Sequence, residues 1–94
     1  MMDIEALRTD FTHLYFERID PARNEYRFYY LGWQRTLFHA GAVVRIAGRL
    51  QNGHQRILAP LPYRSLDEAW YFIRATIRKR LRNGYTIVGH NYPP

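Results

Sequence analysis

The arginines carry the strongest chemical pattern in this sequence. Between Glu25 and Asp67 the chain has no acidic residue, and six arginines lie in that interval: Arg27, Arg35, Arg45, Arg49, Arg56 and Arg64. A guanidinium group is planar and always charged, so it matches phosphate and carboxylate oxygens with paired hydrogen bonds. A surface this one-sided attracts polyanions. The spacing therefore predicts an anion-binding surface whose partner is nucleic acid or an acidic protein.

A predicted hairpin brings three of these arginines together. Asn52-Gly53 between two strand-like runs is typical of a two-residue type I′ turn. That turn places Arg49 directly opposite Arg56, and facing like charges destabilise a sheet by up to ~1 kcal/mol unless something neutralises them. We therefore expect Arg45, Arg49 and Arg56 to form an anion cradle. The alternative is that the three groups point into water and are screened there.

Further residues are expected at the edge of this cradle. His54 and Gln55 follow the turn, and Lys79 and Arg82 lie at the end of a predicted helix. Basic residues in a last helical turn are also explained by the helix dipole. They are therefore secondary candidates for contacts with phosphate groups.

The elements that must position these side chains are an antiparallel sheet and one helix. Ser65 to Glu68 forms a capping box, apolar residues then recur at helical spacing, and Gly84 supplies a stop. This predicts a helix over about 65–82. Strands are predicted over 12–19, 25–34, 41–50 and 85–88, with another strand after the hairpin turn that ends, or lies at an edge, near Pro60.

The predicted fold class is α+β, with a twisted antiparallel sheet of four or five strands and the helix packed on one face. Alternation along the hairpin assigns one face to the core through Val44, Ile46, Leu50 and Ile57. The arginines are then expected on the other face, which the helix leaves uncovered.

Catalysis finds little support in the sequence. The histidines are far apart in the chain, at His13, His39, His54 and His90, and none has metal-ligand spacing with an acid. The sequence has no glycine-rich phosphate loop and no clear nucleophile. Asp67 and Glu68 fit the first turn of a helix. We expect a non-enzymatic protein without cofactor or metal.

Composition sets the remaining limits. The chain has 94 residues, a net charge of +6 and no cysteine, so we expect one domain without disulfides in a reducing compartment. No stretch reaches the ~20 apolar residues of a membrane span, and the first residues lack a signal-peptide pattern. These features predict a cytoplasmic protein that does not bind membranes. The thirteen arginines among fourteen basic residues fit an anion-binding role and a GC-rich genome equally well.

The order of several short motifs resembles the WGR domain over about residues 12–87. These motifs are Asn24-x-x-Arg27-Phe28-Tyr29, Leu37-Phe38, Val44-Arg45-x-x-Gly48-Arg49-Leu50, Gln55, Glu68-Ala69 and Lys79-x-x-x-x-Gly84-Tyr85. WGR domains occur in DNA-damage-responsive poly(ADP-ribose) polymerases and in bacterial proteins, sometimes nearly alone. The resemblance implies a twisted antiparallel sheet with one helix and binding near DNA ends, hence DNA in preference to RNA.

One position departs from the family motif. Gly48 and Arg49 match it, but Ala47 stands where the family has the tryptophan that packs against a terminal sugar. Two hypotheses remain open on this sequence. The first is a weak nucleic-acid-binding module without sequence preference. The second is a regulatory module that docks an acidic protein. The oligomeric state is left open.

Overall fold

Six antiparallel strands and one long helix make up the protein, in a computed structural model that describes residues 3–38 and 40–90, except the side chain of residue 90. The strands are β1 (His13–Asp20), β2 (Glu25–Gln34), β3 (Gly41–Arg49), β4 (Gln55–Ile57), β5 (Leu61–Tyr63) and β6 (Thr86–His90), and the helix is α1 (Leu66–Arg82). The sheet order is β4-β3-β2-β1-β6, and β5 pairs with the other end of β3. The predicted α+β fold class is confirmed, with six strands where four or five were expected.

Helix α1 begins and ends where its capping residues predict. The Ser65 hydroxyl accepts a hydrogen bond from the Glu68 N–H at 3.1 Å. At the other end Gly84 has a φ of +87°, which costs a glycine little, and the Tyr85 N–H donates to the Arg80 carbonyl. This arrangement satisfies the last helical carbonyls. The predicted helix over 65–82 is confirmed.

The hydrophobic core lies between α1 and one face of the sheet. Its fully buried large side chains are Leu14, Phe16, Leu31, Val43, Trp70, Ile73 and Ile77. Burying a side chain of this size contributes roughly 1.5–3 kcal/mol. We call this side of the sheet the helix-covered face and the other side the helix-free face.

The predicted assignment of the two faces is wrong. Arg45 and Ala47 lie on the helix-covered face, since the Arg45 guanidinium rests over the Phe72 ring of α1 and Ala47 packs against the core. Val44 and Ile46 therefore point to the helix-free face. The reason is that the buried pairs Leu14 with Leu31 and Phe16 with Tyr29 lie on the arginine side, and these large side chains decide where the helix docks.

The predicted register of the hairpin is also wrong, by two residues. Gly48 pairs with Gln55, and Ala47 pairs with Arg56, so the connection is four residues long, from 50 to 53. Gly53 has a φ of +67° while Asn52 does not have a positive φ, and a type I′ turn needs both. Instead, the Asn52 side chain accepts a hydrogen bond from the His54 N–H. A shift of two keeps each residue on its face.

The strand after the hairpin ends before Pro60, as expected. Strand β4 has three residues at the sheet edge, and the chain returns to the same sheet as β5. The Leu58 N–H donates to the Arg45 carbonyl beyond the end of β4. Proline has no N–H to continue this ladder.

Candidate functional site

Three arginines form a row across neighbouring strands on the helix-covered face. Arg18 of β1 lies opposite Arg27 of β2, and Arg27 lies opposite Arg49 of β3. Neighbouring strands are about 4.8 Å apart, so the three side chains leave the sheet side by side. Like charges in this arrangement repel each other.

The row has few partners within the part of the chain that the structure describes. The Glu25 carboxylate is shared by two arginines, 3.7 Å from Arg18 Nη1 and 3.9 Å from Arg27 Nε. Arg49 Nη2 donates to the Asn24 carbonyl at 3.2 Å. A carbonyl accepts a hydrogen bond but does not neutralise a charge. The row therefore carries three positive charges against one carboxylate.

A basic surface extends from this row to the helix. It consists of three adjoining cavities of about 250, 470 and 530 Å³, which share lining residues such as Ala47, Tyr85 and Arg80. The basic residues that line them are Arg18, Arg27, Arg45, Arg49, Arg56, Lys79, Arg80 and Arg82. We call this surface the arginine channel. None of its described lining residues is an acid.

Aromatic rings hold two of the channel arginines in place. The Arg80 guanidinium lies 4.7 Å from the centre of the Tyr29 ring and 5.5 Å from that of Tyr85. The Arg45 guanidinium lies 5.2 Å from the centre of the Phe72 ring and donates to the Ala59 carbonyl at 3.2 Å. Cation–π contacts of this kind orient a cation without cancelling its charge. Both groups therefore remain available to attract an anion.

Each of these two arginines also has a buried nitrogen without a hydrogen-bond partner, Nε of Arg45 and Nε of Arg80. Leaving a buried donor unsatisfied costs about 1–3 kcal/mol. Both nitrogens are closed off from solvent, so this cost falls on the fold and not on ligand binding. Both residues line the second cavity.

The floor of the channel stays uncharged. Burial raises the pKa of Tyr29 above its ordinary value, although Arg45 and Arg80 act in the opposite direction. The phenol is therefore protonated at neutral pH and does not compete with an incoming anion for the arginines.

The structure brings every sequence-predicted site residue to this channel. Arg49, His54, Gln55 and Arg56 line the first cavity, Arg45 and Lys79 line the second, and Arg82 lines the third. Arg49 and Arg56 are diagonal neighbours, not the directly facing pair that was expected. The predicted cradle on an uncovered face is therefore corrected to a channel between the sheet and the end of α1.

Three channel residues were not among the site residues predicted for the cradle: Arg18, Arg80 and Arg27, which was counted only among the arginines of the acid-free interval. The signal for two of them lies in the turn between β1 and β2. Asn24 has a φ of +55°, and this turn sets Asp20 opposite Glu25. Counting back from that pair aligns Arg18 with Arg27.

Tyr29 offers no free ring face to a ligand in the channel, because it is buried in the core and the Arg80 guanidinium lies over its ring. Trp33 is half-buried with its ring against Gly41 and lies outside the channel. Ala47 lines the channel between its first two cavities.

Residues 3–38 and 40–90 contain no cluster of three or more potential metal ligands. No helix among those residues is long and apolar enough to cross a membrane. Two histidines considered above, His39 and the side chain of His90, lie outside the described residues.

Comparisons with protein-family models, with curated proteins and with solved structures find no match.

Proposed function

We propose that this protein is a non-catalytic nucleic-acid-binding module that holds the phosphate backbone in the arginine channel. The observation that supports this most directly is the lining of the channel, which has eight basic residues and no described acid. Phosphate groups contribute most of the affinity in such contacts, whatever the base sequence. Binding is therefore weak and without sequence preference.

The extent of the channel favours a polymer over a small anion. Its basic residues belong to four strands and the helix, and they surround three cavities instead of one point. A single phosphate or carboxylate would engage only a few of them. Successive phosphates along one strand could engage the arginine row and the helix end together.

The first test is the salt dependence of binding. Each phosphate contact releases about one counterion, so the logarithm of the affinity falls with the logarithm of salt concentration with a slope of roughly −0.9 per contact for duplex DNA. If four to six channel residues bind phosphate, we expect a slope of about −4 to −5. Fluorescence anisotropy with a labelled oligonucleotide measures it. A slope near zero would contradict the proposal.

The resemblance to WGR domains adds a proposed preference for DNA ends, weakened by Ala47. In Ala47→Trp an indole would enter the channel beside Arg56 and Tyr29, where the alanine side chain now lies. Base or sugar stacking on a ring is worth ~1–3 kcal/mol. We expect the Ala47→Trp variant to bind a blunt-ended duplex more tightly than the same duplex with its ends closed by hairpins. Equal affinities for the two DNAs would remove end recognition from the proposal.

An acidic protein is the alternative partner, and one contact favours it specifically. Arg18 and Arg27 already share a carboxylate, that of Glu25, so this part of the channel accommodates carboxylate groups. Competition distinguishes the two partners. If a polyglutamate peptide displaces a labelled oligonucleotide at equal charge concentration, the channel selects for charge alone. If it does not, phosphate is the preferred ligand.

A further inference from the structure

The helix-free face of the sheet presents an almost continuous apolar surface. One row of paired residues crosses four strands through Tyr15, Tyr30, Ile46 and Ile57. Ile57 is 64% exposed. The same face carries Ile19, Tyr26, Phe28, Val44 and Leu50. Contiguous apolar patches of this extent mark an interaction site.

Aromatic side chains make this face smooth. Tyr15 and Phe28 stack at 5.7 Å with an interplanar angle of 11°, and His13 and Tyr30 stack at 5.6 Å and 18°. The rings spread over neighbouring glycines. A side chain at Gly48 would come within 2.6 Å of the Phe28 ring. The result is an even surface that suits contact with another sheet.

The helix-free face differs from the helix-covered face in the charge of its side chains. Among the described strand residues of this face there is no lysine or arginine, and the only acid or histidine side chains are those of Glu17 and His13. The opposite side carries the arginine channel. A chain with a net charge of +6 repels a copy of itself on every basic surface. The helix-free face is where a second copy can approach without that repulsion.

The size of the face fits a dimer interface. Five strands at ~4.8 Å spacing and about seven residues of ~3.3 Å each give roughly 550 Å² in projection. Because side chains project from the sheet, the accessible area is larger than this projection and approaches the ~800 Å² per partner that a stable interface buries. Two sheets that pack face to face lie ~10 Å apart.

We infer that the helix-free face is a homodimer interface in which two copies pack their sheets against each other around Tyr15, Tyr30, Ile46 and Ile57. Both arginine channels then point outward on opposite sides of the dimer. This inference does not depend on the proposed function, because it is drawn from the face opposite the channel.

The test is the mass of the full chain in solution. Sedimentation equilibrium from about 1 to 100 μM, which includes the weak end of the affinities that interfaces of this size show, should give a species of twice 11.3 kDa. Ile57→Lys puts two lysines into the dimer interface but is exposed in one chain, so we expect at least tenfold weaker dimerisation. Urea unfolding should be unchanged at a concentration where both chains are monomeric, since dimerisation itself adds stability. Leu37→Lys is the matched control, because Leu37 is 94% exposed and lies outside the sheet; its mass should equal that of the wild type.

Other outcomes would overturn the inference. A wild-type chain that stays monomeric over this range contradicts it, as does a dimer that tolerates lysine at both Ile57 and Ile19. If Ile57→Lys lowers folding stability, Ile19→Lys replaces it, since Ile19 is 54% exposed on the same face. A monomer whose Tyr15 and Phe28 resonances shift on adding oligothymidine would assign the face to single-stranded nucleic acid instead.

Discussion

The arginines along the two halves of α1 are held by different kinds of partner. Near its N-terminal end and its middle, two arginines each pair with a different acid: Arg8 Nε donates to Asp67 Oδ1 at 3.0 Å, and Arg74 donates to Glu5. The arginine channel lies at its C-terminal end. Among the described residues, Glu25 has the one carboxylate that lies within 4.0 Å of a channel arginine. Carbonyl groups and aromatic rings hold Arg45, Arg49 and Arg80 instead.

This difference separates structural arginines from arginines that can bind a ligand. An arginine paired with its own acid contributes to the fold and has little charge left for a ligand. An arginine held by a carbonyl or a ring is oriented but still positively charged. The total charge of the chain does not reveal this distinction, since both kinds count equally in the sum.

The largest expected effect comes from the arginine row. Replacing both Arg27 and Arg49 by alanine removes two charged contacts of about 1.5 kcal/mol each, so affinity for an oligonucleotide should fall roughly 100-fold and the salt slope by about 2. The control is Arg78→Ala, compared per charge removed. Arg78 is an exposed residue of α1 that does not line the channel. Equal losses per charge removed in the two variants would mean that net charge alone matters.

A smaller effect is expected at Arg80. Arg80→Met keeps a flexible chain between the Tyr29 and Tyr85 rings and removes a buried nitrogen without a partner. We expect about tenfold weaker oligonucleotide binding, while the free energy of unfolding stays the same or rises by up to ~1–3 kcal/mol. Urea unfolding and anisotropy on one preparation measure both. Lost stability with full binding would assign Arg80 to the fold.

The smallest effect is a pH dependence at the N-terminal end of α1. Hydrogen bonds from Arg74 and then from Trp70 lower the pKa of Glu5 below its ordinary value of 4.5. A carboxylate of this kind stabilises the fold above its unfolded pKa, and the contribution is lost as pH falls through the lower folded value.

Glu5→Gln should therefore be less stable than the wild type at pH 7, and the difference should shrink as the pH falls below about 4.5. Urea unfolding at pH 7 and pH 3 measures it. Oligonucleotide binding at pH 7 should not change. A difference in stability that is the same at both pH values would show that the Glu5 carboxylate is not the cause.

Local signals in the sequence were enough to predict α1 and five of the six strands, but not β5. Ser65 and Gly84 define the helix because capping depends only on nearby atoms. The turn at Asn52-Gly53 was located correctly, but its length was not, because the Asn52 side chain bonds to the His54 N–H in place of a two-residue turn.

The two faces could not be assigned from the hairpin alone. Strand β3 is apolar on one side through Val44 and Ile46, while its other side alternates Val43 and Ala47 with Arg45 and Arg49. The decision comes from Leu14 and Phe16 on β1, three strands from β4. Likewise, Arg18, Arg27 and Arg49 are far apart in the sequence, and only strand register brings them into one row. Their function remains a prediction.

Repulsion within the row of facing arginines should make the stability of the fold depend on whether a ligand is bound in the channel. Without a ligand, the repulsion between Arg18, Arg27 and Arg49 counts against the folded state. If a polyanion binds in the channel as proposed, it removes that repulsion, and the melting temperature should climb with ligand concentration as far as the folded chain binds the polyanion more tightly than the unfolded chain does. A simple thermal shift screen would therefore rank natural ligands without any label.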